Sequence, residues 1–145
     1  MSAAVPILTY HSLDDSGSVI STSPAVFRAQ MELLARRGYR VITLRELLDA
    51  WDSAATVAPN TVVLTFDDAT ENLLAHALPV LTALQFRATV FAVSGKLGGM
   101  NDWAGQAAGM ATILASEEWL GAGPAVKVEV EKWTKVVQAA GIKVN

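Results

Sequence analysis

The sequence predicts an α/β fold of parallel strands joined by crossover helices. Three observations predict it. Short β-branched and aromatic runs alternate with stretches of helical periodicity along the front of the chain. The strand-like runs are continuously apolar rather than alternating, as strands are when a sheet is covered on both faces. Residues able to do chemistry fall at the C-terminal ends of those runs, where parallel α/β folds place their sites. The resulting order, β-α-β-α-β-α-β, fits either a barrel segment or an open doubly wound sheet.

Taken in order, Pro6-Ile7-Leu8-Thr9-Tyr10 reads as a short buried strand with His11 at its end. A polar loop follows over residues 12–21, and Asp14-Asp15 within it reads as a solvated turn. Thr22 or Ser23 caps a helix whose first position is Pro24, a residue with no N–H to leave unsatisfied there. Phe27, Met31, Leu33 and Leu34 form its apolar face, Arg36 and Arg37 suit the negative end of its dipole, and Gly38 stops it. Tyr39-Arg40-Val41-Ile42 is the second strand. Thr43 and Glu46 form a capping box that opens a second helix through Trp51.

A linker over 53–60 leads to the strand 61–66, which ends in Asp67-Asp68. Residues 69–84 read as helical, with Pro79 starting a fresh helix because it cannot sit in a helix interior. Residues 87–93 form a further strand that ends at Ser94. Beyond it, 94–109 is a glycine-rich loop holding Asn101-Asp102-Trp103, and 111–120 is weakly helical. Residues 125–140 form an amphipathic helix with Val126, Val130, Trp133 and Val137 on one face.

Composition narrows the function classes. At 145 residues, 52% hydrophobic and 17% charged, the chain can bury a core and is not a disordered segment. A net charge of −3 leaves no basic footprint for nucleic acid or for an acidic membrane surface. The absence of cysteine excludes disulfides, thiolate zinc sites and a cysteine nucleophile. No apolar run reaches the roughly 20 residues of a membrane helix. The N-terminal residues lack a basic stretch followed by an apolar one, so the expectation is a chain without a signal peptide, cytoplasmic by default.

The chemistry concentrates at Asp67-Asp68. Two carboxylates following Val62-Val63-Leu64-Thr65-Phe66 are costly to bury unless paired, hydrogen-bonded or metal-bound. Neighbouring residues at a strand end can diverge, one binding a cation while the other takes a proton. A turn or helix cap after a buried strand would use the same residue types. His11 ends another strand and could meet them, or could simply be a polar strand terminus. His76 reads as a surface or packing residue of its helix.

Several ordered segments resemble the polysaccharide deacetylases, the NodB-homology or carbohydrate esterase family 4 enzymes. Thr65-Phe66-Asp67-Asp68 is similar to the family's first motif, and Pro6-Ile7-Leu8-Thr9-Tyr10-His11 to its opening strand. Arg36-Arg37-Gly38-Tyr39-Arg40-Val41-Ile42-Thr43-Leu44, His76-Ala77-Leu78-Pro79-Val80-Leu81 and Ala88-Thr89-Val90-Phe91 extend the likeness over about residues 5–113. The resemblance implies a partial (β/α) barrel and metal-dependent hydrolysis of N-acetyl groups on amino-sugar polymers. It implies a divalent metal, often zinc, with Asp67 as general base and Asp68 as metal ligand. His11 is the one histidine placed to join Asp68 as a ligand.

Two departures stand out. Ala69 occupies a position where the family often has glycine. The family's His-x-x-x-His pair, which supplies two ligands, is missing: the sequence holds only His11 and His76. The later arginine, aspartate and histidine motifs are not identifiable either. The tail, residues 128–143, resembles the C-terminal helix of the periplasmic solute-binding proteins of tripartite tricarboxylate transporters. The organisation expected is therefore a deacetylase-like partial barrel over 1–113 and a divergent tail with an amphipathic helix over 114–145, in one structural domain. Two functions follow: a deacetylase impaired or inactive for want of ligands, or a non-catalytic carbohydrate-binding or interaction module. A partial barrel exposes strand edges, so self-association is expected.

Overall fold

The computed structural model describes residues 4–93, 96 and 98–100, together with the backbone of Val126–Val128. The strands are β1 (Ile7–Tyr10), β2 (Ser12–Leu13), β3 (Ser21–Thr22), β4 (Arg40–Ile42), β5 (Thr61–Asp68), β6 (Ala88–Ala92) and β7 (Val126–Val128). The α-helices are α1 (Pro24–Arg36), α2 (Leu44–Asp52) and α3 (Leu78–Ala83).

Every strand pairing is parallel, as the alternation of elements requires. β5 is the centre of the sheet. β1 runs along one edge, with Ile7 opposite Val63 and Tyr10 opposite Phe66. β4 pairs with its first residues and β6 with its last, Thr65 opposite Thr89 and Asp68 opposite Ala92. β5 thus extends two residues beyond the expected strand, because β6 supplies partners for Asp67 and Asp68.

The side chains of β5 divide between two covered faces. Val62, Leu64 and Phe66 join Phe27 and Met31 of α1 and Val80 and Leu81 of α3 in the main core. Val63 faces the other way and packs with Ile42 of β4 and Leu47 of α2. Tyr10, Phe27 and Phe66 form an aromatic cluster with ring centroids 5.1–5.8 Å apart. The Tyr10 hydroxyl, part-buried there, donates to Gln30 Oε1 at 2.8 Å.

The helix starts follow local chemistry. Ser23 Oγ accepts from the Val26 N–H, and Pro24 lies in the first turn of α1. Thr43 and Glu46 form the expected capping box, and Glu46 also pairs with Arg87. The Leu44 N–H donates to Thr89 Oγ1 at 3.0 Å, tying the head of α2 to β6.

Four expectations are corrected. Leu33 is 45% exposed rather than part of the buried face of α1. It stands six residues after Phe27, about 120° around the helix. Residues 12–21 hold the short parallel pair β2 and β3 within what reads as a loop. Within residues 69–84 a fresh helix, α3, does begin at Leu78 and Pro79 as expected, but the segment ahead of it, Leu73–Ala77, is a π-helical turn rather than α-helix. Pro79 has no N–H for the carbonyl four residues back, and the chain ahead of it widens. Val126–Val128, expected at the start of an amphipathic helix, pairs with β6 as a strand, Ala88 opposite Val126 and Val90 opposite Val128. The free edge of β6 takes a β-branched segment, and pairing there outweighs helical periodicity. The rest of the expected tail helix, the helix over 111–120, Ser94 and Asn101-Asp102-Trp103 lie outside the described residues.

Candidate active site

Three strand ends converge on one cleft. It is about 450 Å³ and is lined by His11, Ile20, Asp67, Asp68, Phe91, Ala92 and Val93. Parallel pairing builds it: Tyr10 lies opposite Phe66, so the following residues, His11 and Asp67, emerge side by side. One pair of residues earlier on the same strands, Thr9 Oγ1 and Thr65 Oγ1 hydrogen-bond at 2.9 Å. Asp67 in turn sits opposite Phe91, whose strand supplies the apolar wall.

His11 Nε2 lies 3.4 Å from Asp67 Oδ2, and both side chains are about one-third exposed. His11 thus faces the expected base most closely, while Asp68 shares the same cleft. Burial raises the pKa of Asp68; the positive charge of His11 opposes this and Asp67 adds to it. The ionised form of Asp68 is therefore disfavoured by folding. Its favourable contribution is complete below the ordinary aspartate value of 3.8 and is lost as pH rises through the raised folded value. Asp68→Asn, which keeps the shape without the charge, is expected to melt above the parent near neutral pH. The difference should close as pH falls through the carboxylate range, and a series of thermal melts across that range measures it. A variant that melts below the parent at neutral pH would contradict this.

The backbone at the strand exit is strained. Asp68 and Ala69 have φ of +70° and +54°, two successive non-glycine residues in the left-handed region. Such residues cost roughly 1–3 kcal/mol each and persist where their surroundings over-determine them. Glycine adopts this φ without the Cβ penalty, so Ala69 stands in a backbone conformation better suited to glycine. The turn swings Asp68 off the pleat and delivers it to the cleft.

His76 is exposed on the π-helical turn and does not line the cleft, as its reading as a surface residue anticipates. Asp14, by contrast, is no free solvated turn. It accepts from Ser12 Oγ, Ser21 Oγ and the Ser16 N–H. Burial alone would raise its pKa, and these hydrogen bonds outweigh it and bring the carboxyl down to about 2. Serines two residues to either side of Asp14 were the available signal for such a turn. Ile20, a lip of the cleft, has no signal in the sequence.

The described residues do not make up a complete metal centre. Among the described residues no group of three or more His, Asp or Glu side chains is placed to hold a metal ion. A catalytic zinc takes three protein ligands, and Asp68 and His11 supply two at most.

A family profile for polysaccharide deacetylases matches residues 54–121, which include the acid pair and its strand. Over these residues the chain is similar to the polysaccharide deacetylases. A Bacillus subtilis (strain 168) protein assigned to the polysaccharide deacetylases, YxkH, is 31% identical over 96 residues. That alignment takes in 66% of this chain and 34% of YxkH. Among solved structures, the Streptococcus pyogenes deacetylase PplD, in complex with acetate, has the same fold with a TM-score of 0.73 at 20% identity, over 90% of this chain and 57% of that one. IcaB of Ammonifex degensii matches with a TM-score of 0.72 at 26% identity, over 87% of this chain and 52% of that one. The chain thus spans about a third of its curated relative and just over half of these solved chains.

The barrel expectation holds, since these neighbours have the (β/α) barrel fold and the described strands follow it. The likeness of the tail to transporter solute-binding proteins finds no support, and the deacetylase match itself runs to residue 121. No described helix is long and apolar enough to cross a membrane.

Proposed function

We propose that this chain is a carbohydrate deacetylase homologue directed at N-acetylated amino sugars, with hydrolysis impaired in the chain as it stands. The acid pair at the end of β5, facing His11 across a cleft with an apolar wall, carries the reading. Asp67 is the general base and Asp68 the metal ligand by resemblance to the family. The impairment rests on the ligand count: Asp68 and His11 leave a divalent metal short of the three protein ligands of a catalytic site. The same shortfall favours, as a second reading, a carbohydrate-binding derivative that holds a sugar without cleaving it.

Metal analysis of the purified chain, paired with a chitooligosaccharide deacetylation assay, tests this. The expected result is metal well below one equivalent and no acetate release above an Asp68→Ala control. A full equivalent of zinc, with turnover that disappears in Asp68→Ala, would overturn the impairment. Saturable chitooligosaccharide binding without turnover would select the second reading.

A further inference from the structure

A directed run of hydrogen bonds joins the loop after β5 to the loop after β1. Thr70 Oγ1 donates to Asn72 Oδ1 at 2.8 Å, and Asn72 Nδ2 donates to Ser12 Oγ at 2.7 Å across 60 positions of sequence. Ser12 Oγ then donates to Asp14 Oδ2 at 2.5 Å. Ser21 Oγ donates to the same oxygen at 3.1 Å, and the Ser16 N–H donates to Oδ1 at 2.9 Å. Each hydroxyl has one proton to give, and here each is given toward Asp14, a carboxylate that only accepts. Ser12 can receive from Asn72 because its own proton is taken up by Asp14.

The sheet leaves this connection to be made. The β1–β5 ladder ends at Tyr10 opposite Phe66, one residue before His11 and Asp67. Beyond that point Asp67 and Asp68 pair with β6 alone. His11 is the neighbour of Ser12, and Thr70 directly follows the two left-handed residues Asp68 and Ala69. The Ser12 N–H also reaches the carbonyl of Ile20 at 3.4 Å, and Ile20 lines the cleft.

We infer that Asn72, Ser12 and Asp14 are positioning residues that clasp the His11 segment to the strand exit carrying Asp67 and Asp68. The clasp takes over where the ladder stops, and it holds the left-handed turn and the lip of the cleft in one arrangement. The inference rests on the reading of His11, Asp67 and Asp68 as the site.

The full chain has two histidines, so its proton–carbon spectrum carries two imidazole Cε1–H signals, with His76 as an internal reference. At a fixed, near-neutral pH, Ser12→Ala and Asn72→Ala are each expected to shift or broaden the His11 signal and leave that of His76 in place. Ser12→Thr, which keeps the hydroxyl, is expected to return the His11 signal to the parent position. A purely structural role would lower the melting temperature without moving His11 selectively. A His11 signal that coincides with the parent in both alanine variants would overturn the inference. Turnover enters neither measurement, so failure of the deacetylase reading and failure of the clasp give different results.

Discussion

Phe66→Ala is expected to cost roughly 3–5 kcal/mol of folding stability, the range for removing a fully buried aromatic side chain. Phe66 is 1% exposed and stacks on Tyr10 at 5.5 Å, with the Phe27 ring 5.8 Å away. Its two ring neighbours come from β1 and α1, so neither a helix nor a strand alone can close the cavity. Against a total stability of about 5–15 kcal/mol for an ordinary domain, the loss is a large fraction. Urea denaturation of parent and variant measures it as a fall in midpoint with little change in slope. The residue after Phe66 is Asp67, so the ring that anchors the core also sets the height of the acid pair in the cleft. A loss under about 1 kcal/mol would mean that the aromatic cluster is not the centre of the core.

Asp14→Asn is expected to destabilise the chain at neutral pH and to be nearly silent in strong acid. Burial works against the ionised carboxyl, but the hydrogen bonds from Ser12, Ser16 and Ser21 more than offset it, lowering the pKa from 3.8 to about 2. A group whose pKa is depressed by folding contributes stability above its unfolded value and loses it as pH falls through its folded one. The contribution of Asp14 is therefore complete above about pH 4 and fades toward pH 2. A shift of this size corresponds to about 2 kcal/mol, and solvent screening at this partly exposed loop reduces it to about 1–2 kcal/mol. Asparagine has one acceptor oxygen where Asp14 uses two, and its amide hydrogens face donors. Denaturation midpoints of the two proteins at a series of pH values should converge below the carboxylate range. A gap that stays constant with pH would show that ionisation of Asp14 contributes nothing to folding.

Local elements whose causes lie within a few residues are legible in the sequence. Ser23 before Pro24 and the Thr43–Glu46 box mark helix starts because capping uses side chains three residues apart or less. The continuous apolar run of β5 announces burial on both faces, and the cores on its two sides bear that out. The His11–Asp67 neighbourhood was suggested by both residues ending strands and became definite only through the register of β1 on β5. The π-helical turn and the strand at Val126–Val128 were missed for a common reason. Both depend on what the chain meets in space, a proline one turn ahead in the first case and an unpaired sheet edge in the second. Asp14 was misread because a surface turn and a hydrogen-bonded hub share the same composition of serine and aspartate.

By itself the sequence determined the α/β class, the likeness to the polysaccharide deacetylases, the acid pair at the end of a buried strand, and the lack of a His-x-x-x-His motif. Those properties are carried by residue identity and short-range periodicity, which do not depend on how distant segments meet. Only the tertiary structure decided that His11 faces Asp67, that Asp68 and Ala69 leave β5 through a left-handed turn, and that Asn72 and Ser12 bridge the loops on either side of the cleft. Those outcomes follow from strand register and from packing between segments far apart in the chain, where a shift of one residue would turn each side chain to the opposite face.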